Sequence, residues 1–200
     1  MAARNAADGG SGLPGPPFFR HAPNPSATAT HQDTDMKLDA YDIRILATLQ
    51  RDGRITKLKL AEEIGLSPSP CWERMKRLQE AGFIRGFHAD VDVAKVVRAT
   101  TVFVEVTLNS HGAEDFERFE AAVHDVPEIV ECQAIGGGAD YIMKVVTTDI
   151  EAYQALIDRL LAAKVGIGRY FTYIVTKPVK RPRGAPLAHL MEQAGKPLGG

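Results

Sequence analysis

The chain has little cysteine. Cys71 and Cys132 are its only two thiols, far apart in 200 residues. That excludes a disulfide framework, and neither has a second Cys or a His at metal-ligand spacing. No apolar run approaches the roughly 18 residues needed to span a membrane. The N-terminal stretch is rich in Gly, Pro and Ala and polar, unlike a secretory h-region. These absences lead us to expect a cytoplasmic protein in a reducing compartment, with no metal, cofactor or membrane partner. Catalytic patterns are missing too. His88, His111 and His124 fall on different elements. There is no nucleophile–base pair, no phosphate-cradling glycine loop opening a helix and no paired carboxylates, so the expectation is not an enzyme.

Net charge is nearly absent, at −1, but its distribution is uneven. Residues 37–98 hold 12 Lys/Arg against 9 Asp/Glu, residues 99–176 hold 5 against 12, and residues 177–200 hold 5 against 1. A basic segment joined to an acidic one points to two modules with different partners.

Residues 1–36 carry five prolines and four glycines with few aliphatic residues, the composition of a disordered extension. A start at Met36 would account for this extension as well as a function would. The pattern begins with "LDAYDIRILATLQRDG". Asp39 is a good N-cap, Asp42 adds negative charge to the first turn, and Gly53 is a natural stop. A short second helix starts from Thr56 and ends at Gly65. The third, within "LSPSPCWERMKRLQEAG", has Pro68 and Pro70 in its first turn, where a missing N–H costs little. On a helical wheel Cys71, Met75, Leu78 and Gly82 share one face. Ser69, Glu73, Lys76, Arg77 and Glu80 spread over the opposite side, and Arg74 and Trp72 flank the stripe. Cys71 therefore reads as core, since a free Cys behaves as a small hydrophobe. Three short helices with a tight turn are a helix-turn-helix pattern. "GFIRGFHADVD" alternates well enough for a short strand or wing.

The second half changes rhythm. "TTVFVEVTL" alternates as a strand, and "GAEDFERFEAAVHDV" spaces Phe116, Phe119, Val123 and Val126 as a helix. Two strands flank "GGG", then an amphipathic helix and a last strand follow. The order β-α-β-β-α-β is ferredoxin-like. Both helices on one sheet face leave the other, with Phe103, for a second chain. The expected fold class is α+β, a winged helix-turn-helix followed by a ferredoxin-like βαββαβ half of the dimeric α/β barrel type. The expected boundaries are extension 1–36, helix-turn-helix DNA-binding part 37–88, linker 89–99, ferredoxin-like half 100–177, which the resemblance given below makes the effector and oligomerisation half, and flexible basic tail 178–200. A Lys/Arg cluster, Lys177, Lys180, Arg181 and Arg183, spans the start of this tail.

The run "LDAYDIRILATLQRDGRITKLKLAEEIGLSPSPCWERMKRLQEAGFIRGF", with "PEIVEC" and "GGGADY" at the right separation, strongly resembles the Lrp/AsnC, or feast/famine, regulators. The resemblance covers Lys37 to Lys180. It implies a transcription regulator whose N-terminal half reads double-stranded DNA. Its ferredoxin-like half would dimerise through the sheet, and dimers would assemble into octamers or similar rings. An amino acid or related metabolite would bind between dimers. The recognition helix falls at about Pro68 to Glu80. Arg74 and Arg77 are then the expected base or phosphate contacts. Ser67, Ser69 and Pro70 stand at the helix start, and Lys57 and Lys59 add backbone contacts. Gly137, Gly138, Ala139, Asp140 and Tyr141 are the expected effector loop. Gly138 and Ala139 replace the acidic and aromatic residues of leucine-responsive members, giving a smaller and less charged wall. The ending "GRYFTYIVTKPVK" resembles a branch controlling uptake or breakdown of ectoine-like compatible solutes. Sirohaem decarboxylases share this two-domain architecture, which leaves an enzyme with His88 near a tetrapyrrole as one alternative. A small-molecule sensor without DNA binding is another.

Overall fold

The computed structural model describes residues 36–180 and 184–195. The expectations for residues 1–35, and for Arg181 and Arg183, lie outside the described residues. The chain divides into two compact units, one reaching Ala89 and rejoined by the C-terminal segment, the other Asp90–Pro182.

In the first unit α1 spans Ala40–Arg51, α2 Lys57–Ile64 and α3 Pro68–Glu80. Each start has a local cause. Asp39 and Asp42 form a reciprocal capping box on α1. The Thr56 hydroxyl accepts from the Lys59 N–H at 3.3 Å to open α2. Gly65 closes α2 at φ +76°, a left-handed conformation that a side chain would strain. Pro68 occupies the first position of α3. The core joins Ile45, Leu60, Ala61, Ile64, Cys71, Met75 and Leu78, each less than a tenth exposed. Trp72 packs at its edge.

Two details differ from the expectation. Residues 82–92, expected as a short strand or wing, form no strand. The tail carries a short helix, α6, at Leu187–Gln193, where the sequence has no sustained periodicity. The Leu187 N–H donates to Gln50 of α1 at 3.3 Å, and no residue of α6 is buried.

The second unit runs β1 (Thr100–Leu108), α4 (Ala113–His124), β2 (Ile129–Ala134), β3 (Tyr141–Thr147), α5 (Ile150–Ala162) and β4 (Ile167–Ile174). The antiparallel sheet has the order β2-β3-β1-β4. Period-2 alternation sends Val102, Val104, Val106 and Leu108 into the core with Phe119, Tyr141, Met143, Leu156 and Ile157. On the face away from α4 and α5, Phe103 pairs with Tyr173, while Glu105 lies between Ile142 and Phe171. Phe103, Ile142, Phe171 and Tyr173 are all exposed there.

Candidate DNA-reading helix and effector loop

The start of α3 is poor in donors. Pro68 and Pro70 have no N–H, and the Cys71 N–H donates to the Ser67 carbonyl at 3.3 Å. That leaves the Ser69 N–H. Ser67 is the N-cap residue, but its side chain makes no capping bond. Ser67, Ser69 and Pro70 are exposed.

Arg74 and Arg77 do not point away from the protein. The Arg74 guanidinium donates to Asp39 at 2.7 Å and to Asp42 at 2.8 Å. Arg77 donates to both oxygens of Asp42, at 2.9 and 2.8 Å. The Asp42 side chain is 1% exposed, against 27% for Arg74 and 49% for Arg77. Burial opposes ionisation of Asp39, but hydrogen bonds from the Asp42 N–H and from Arg74 hold its carboxyl below the usual range. The same carboxylates raise Arg74.

The stripe left facing outward is Ser69, Glu73, Lys76 and Glu80, all exposed and spaced by four, three and four residues. Lys76 pairs loosely with Glu80 at 3.5 Å. On α2, Lys59 is exposed, and the Lys57 ammonium sits 3.2 Å from the centroid of the Trp72 ring. The sequence reading passed over Lys76, and over Asp39 and Asp42 as partners. An Asp-x-x-Asp on α1 and an Arg-x-x-Arg on α3 were the available signals, each presenting two like charges on one helix face.

In the second unit, Gly136–Gly138 form the exposed turn between β2 and β3. Gly137 has φ +140° and requires glycine. Ala139 is 6% exposed, so its methyl group packs inward. The Asp140 carboxylate accepts the Leu108 N–H at 2.7 Å and lies 3.2 Å from His111 Nε2. Asp140 thereby ties the turn to the end of β1. Tyr141 is buried, its ring centroid 4.5 Å from that of Phe119, and its hydroxyl donates to Glu120 at 2.7 Å. Burial first, then Glu120, raises the Tyr141 hydroxyl. The same two causes push the Cys132 thiol up to about 11, and burial raises Cys71. Neither cysteine is set up as a thiolate nucleophile. Of the five expected effector residues, Gly137 and Gly138 are open, Asp140 is half-buried, and Ala139 and Tyr141 belong to the interior. His111 and Glu120 join the region, brought in from the β1–α4 connection and from α4. A separate cavity of about 340 Å³ opens at the other end of β3, lined by Val93, Val97, Arg98, Glu128, Val146 and Thr148 among others.

Residues 38–85 match a family model described as winged helix-turn-helix DNA-binding, and residues 101–185 match the Lrp/AsnC ligand binding domain. The chain is 59% identical over 147 residues to the transcriptional regulatory protein DoeX of Halomonas elongata, covering 74% of this chain and 93% of that protein. The chain belongs to the Lrp/AsnC family. This Lrp/AsnC protein is also 41% identical over 144 residues to the leucine-responsive regulatory protein of Salmonella typhimurium, covering 72% and 88% of the two chains. Among solved structures, a Neisseria meningitidis transcriptional regulator in complex with L-Met superposes with a TM-score of 0.70 at 34% identity, over 77% of this chain and 99% of that one. An AsnC family regulator from Agrobacterium tumefaciens gives 0.70 at 36%, over 76% and 99%. The Lrp/AsnC protein is a DNA-binding transcriptional regulator that responds to small molecules. Among the described residues no helix is long and apolar enough to cross a membrane.

Proposed function

We propose that this regulator works as a dimer joined through the open sheet face, with larger rings built from dimers. Phe103, Ile142, Phe171 and Tyr173 on one face support that reading. Two helix-turn-helix units of a dimer would engage half-sites about one helical turn, or a multiple of it, apart. The observation that carries the DNA reading is the exposed α3 stripe beginning at Ser67 and Ser69 and continuing through Glu73 and Lys76. Lys57 and Lys59 on α2 add phosphate contacts.

The effector, on this reading, is an amino acid or a small zwitterionic derivative, ectoine-like solutes included, held at the turn of Gly137, Gly138 and Asp140. The L-Met complex of the Neisseria regulator supports the ligand class. The protein would act in the cytoplasm on the chromosome and carry out no chemistry of its own. Its target genes would handle amino acids or compatible solutes.

The experiment is a salt titration of operator binding by the full chain, without effector and with a panel of amino acids and ectoine-type solutes. Each phosphate contact contributes about 0.9 to the slope of log K against log salt. Lys76→Ala and Lys59→Ala are each expected to reduce that slope by about 1. Unchanged slopes in both would remove these lysines from the interface. A panel that leaves both affinity and melting temperature unmoved would refute the proposed ligand class.

A further inference from the structure

Asp42 is a buried carboxylate whose hydrogen bonding is saturated by its own chain. Its oxygens accept from Arg74 at 2.8 Å, from Arg77 at 2.9 and 2.8 Å, and from the Asp39 N–H at 3.2 Å. Asp39 accepts from the Asp42 N–H at 2.9 Å and from Arg74 at 2.7 Å. The four side chains carry two charges of each sign, so they offer no net cation to a phosphate. For either arginine to leave for DNA, a carboxylate that is 1% exposed would lose one of its two counter-charges.

The spacing gives the arrangement a mechanical meaning. Arg74 and Arg77 lie about one turn apart on α3, and Asp39 and Asp42 lie about one turn apart at the start of α1. Two helices joined at two points a turn apart cannot roll about their axes. The apolar stripe of α3 is less able to set that roll. Leu78 is fully buried in that stripe, but Cys71 is small and Met75 is flexible, and such side chains tolerate small rotations. Guanidinium–carboxylate pairs are directional, and Arg77 holds both oxygens of one carboxylate.

We propose that Arg74 and Arg77 are positioning residues rather than DNA contacts. Clamped to Asp39 and Asp42, they set the roll of α3 that turns Ser69 and Glu73 toward the bases and leaves the long Lys76 side chain on the phosphates. This inference rests on the DNA-binding reading above. It replaces the expectation that the two arginines themselves touch DNA.

The test is fluorescence anisotropy with the full chain on a selected operator and on a random duplex, across a range of potassium chloride. The variants are Arg77→Ala, Arg77→Lys and Asp42→Asn, with melting temperatures recorded alongside. A clamp predicts that Arg77→Ala weakens operator binding about tenfold or more, as expected when a base-reading contact is misplaced. Its salt slope and random-duplex affinity should stay at wild-type values. Arg77→Lys keeps the charge but ends one bond short of the terminal nitrogen that holds both Asp42 oxygens, so a clamp predicts the same loss of operator preference. It also provides the readout if the alanine variant fails to fold. Asp42→Asn removes a negative charge near DNA yet should reduce the operator-to-random ratio. The inference is overturned if Arg77→Ala lowers the slope by about 1, the mark of a lost phosphate contact. It is equally overturned if Arg77→Lys binds the operator as the wild type does, or if Asp42→Asn tightens it. Wild-type protein that binds no duplex at any salt would instead defeat the DNA-contact reading itself, and is told apart by that control.

Discussion

Asp42→Ala is expected to lower the unfolding free energy of the helical unit by about 2–3 kcal/mol. Removing one partner of a buried ion pair typically costs about 3–5 kcal/mol, because the other charge is left uncompensated. Here Arg74 is 27% and Arg77 49% exposed, so both can recover some hydration and the figure is discounted. The substitution also deletes half of the capping box, because the Asp39 N–H loses its acceptor. Urea unfolding followed by Trp72 fluorescence, within the same unit, reads the effect. A loss below about 0.5 kcal/mol would make the cluster a surface ornament of the usual exposed kind.

Acid should reproduce part of the same loss. Asp39 is held below its usual pKa, with burial opposing and the Asp42 N–H and Arg74 prevailing. A group whose folded pKa lies below its unfolded value, about 3.9 for Asp, stabilises the fold above that value. The contribution fades as the pH falls through the lower folded value. The difference between wild type and Asp39→Ala should therefore be full near neutrality and shrink below about pH 4.

Phe119→Ala should cost the ferredoxin-like unit about 3–5 kcal/mol. Phe119 is fully buried on α4 and packs against the Tyr141 ring with centroids 4.5 Å apart. Truncation removes the apolar area and the ring contact and opens a cavity beneath the turn that carries Gly137. Tyr141 begins β3, and its hydroxyl bond to Glu120 anchors the same end of the sheet. The variant should lose effector response before it loses DNA affinity, since the core containing Phe119 shares no residue with the core of α1–α3. Equilibrium unfolding gives the energy, and calorimetry with a responding effector gives the binding. A loss under about 1.5 kcal/mol would mean that the site collapses to refill the space.

Several features were legible in the residues because their causes act within one turn or one strand. The Asp39 and Thr56 caps, the proline-set start of α3, the buried side of Cys71 and the alternation of β1 depend on neighbours a few positions away. The order of strands and helices follows from those local patterns, and the family follows from their combination. Tertiary structure decided the rest. Arg77 and Asp42 are 35 residues apart, and a wheel drawn for α3 alone shows which way Arg77 points but not that a buried carboxylate waits there. Asp140 reads as an open acid in a glycine turn, yet it is bound to the Leu108 N–H 32 residues away. Ala139 looks like a pocket wall in sequence and packs inward in the fold. The sequence by itself determined the two modules, a helix-turn-helix and a ligand binding domain, and where the helices and strands of each begin. Only packing determined which of their charges are already spent inside the protein, because an ion pair forms between surfaces and local pattern describes one surface at a time.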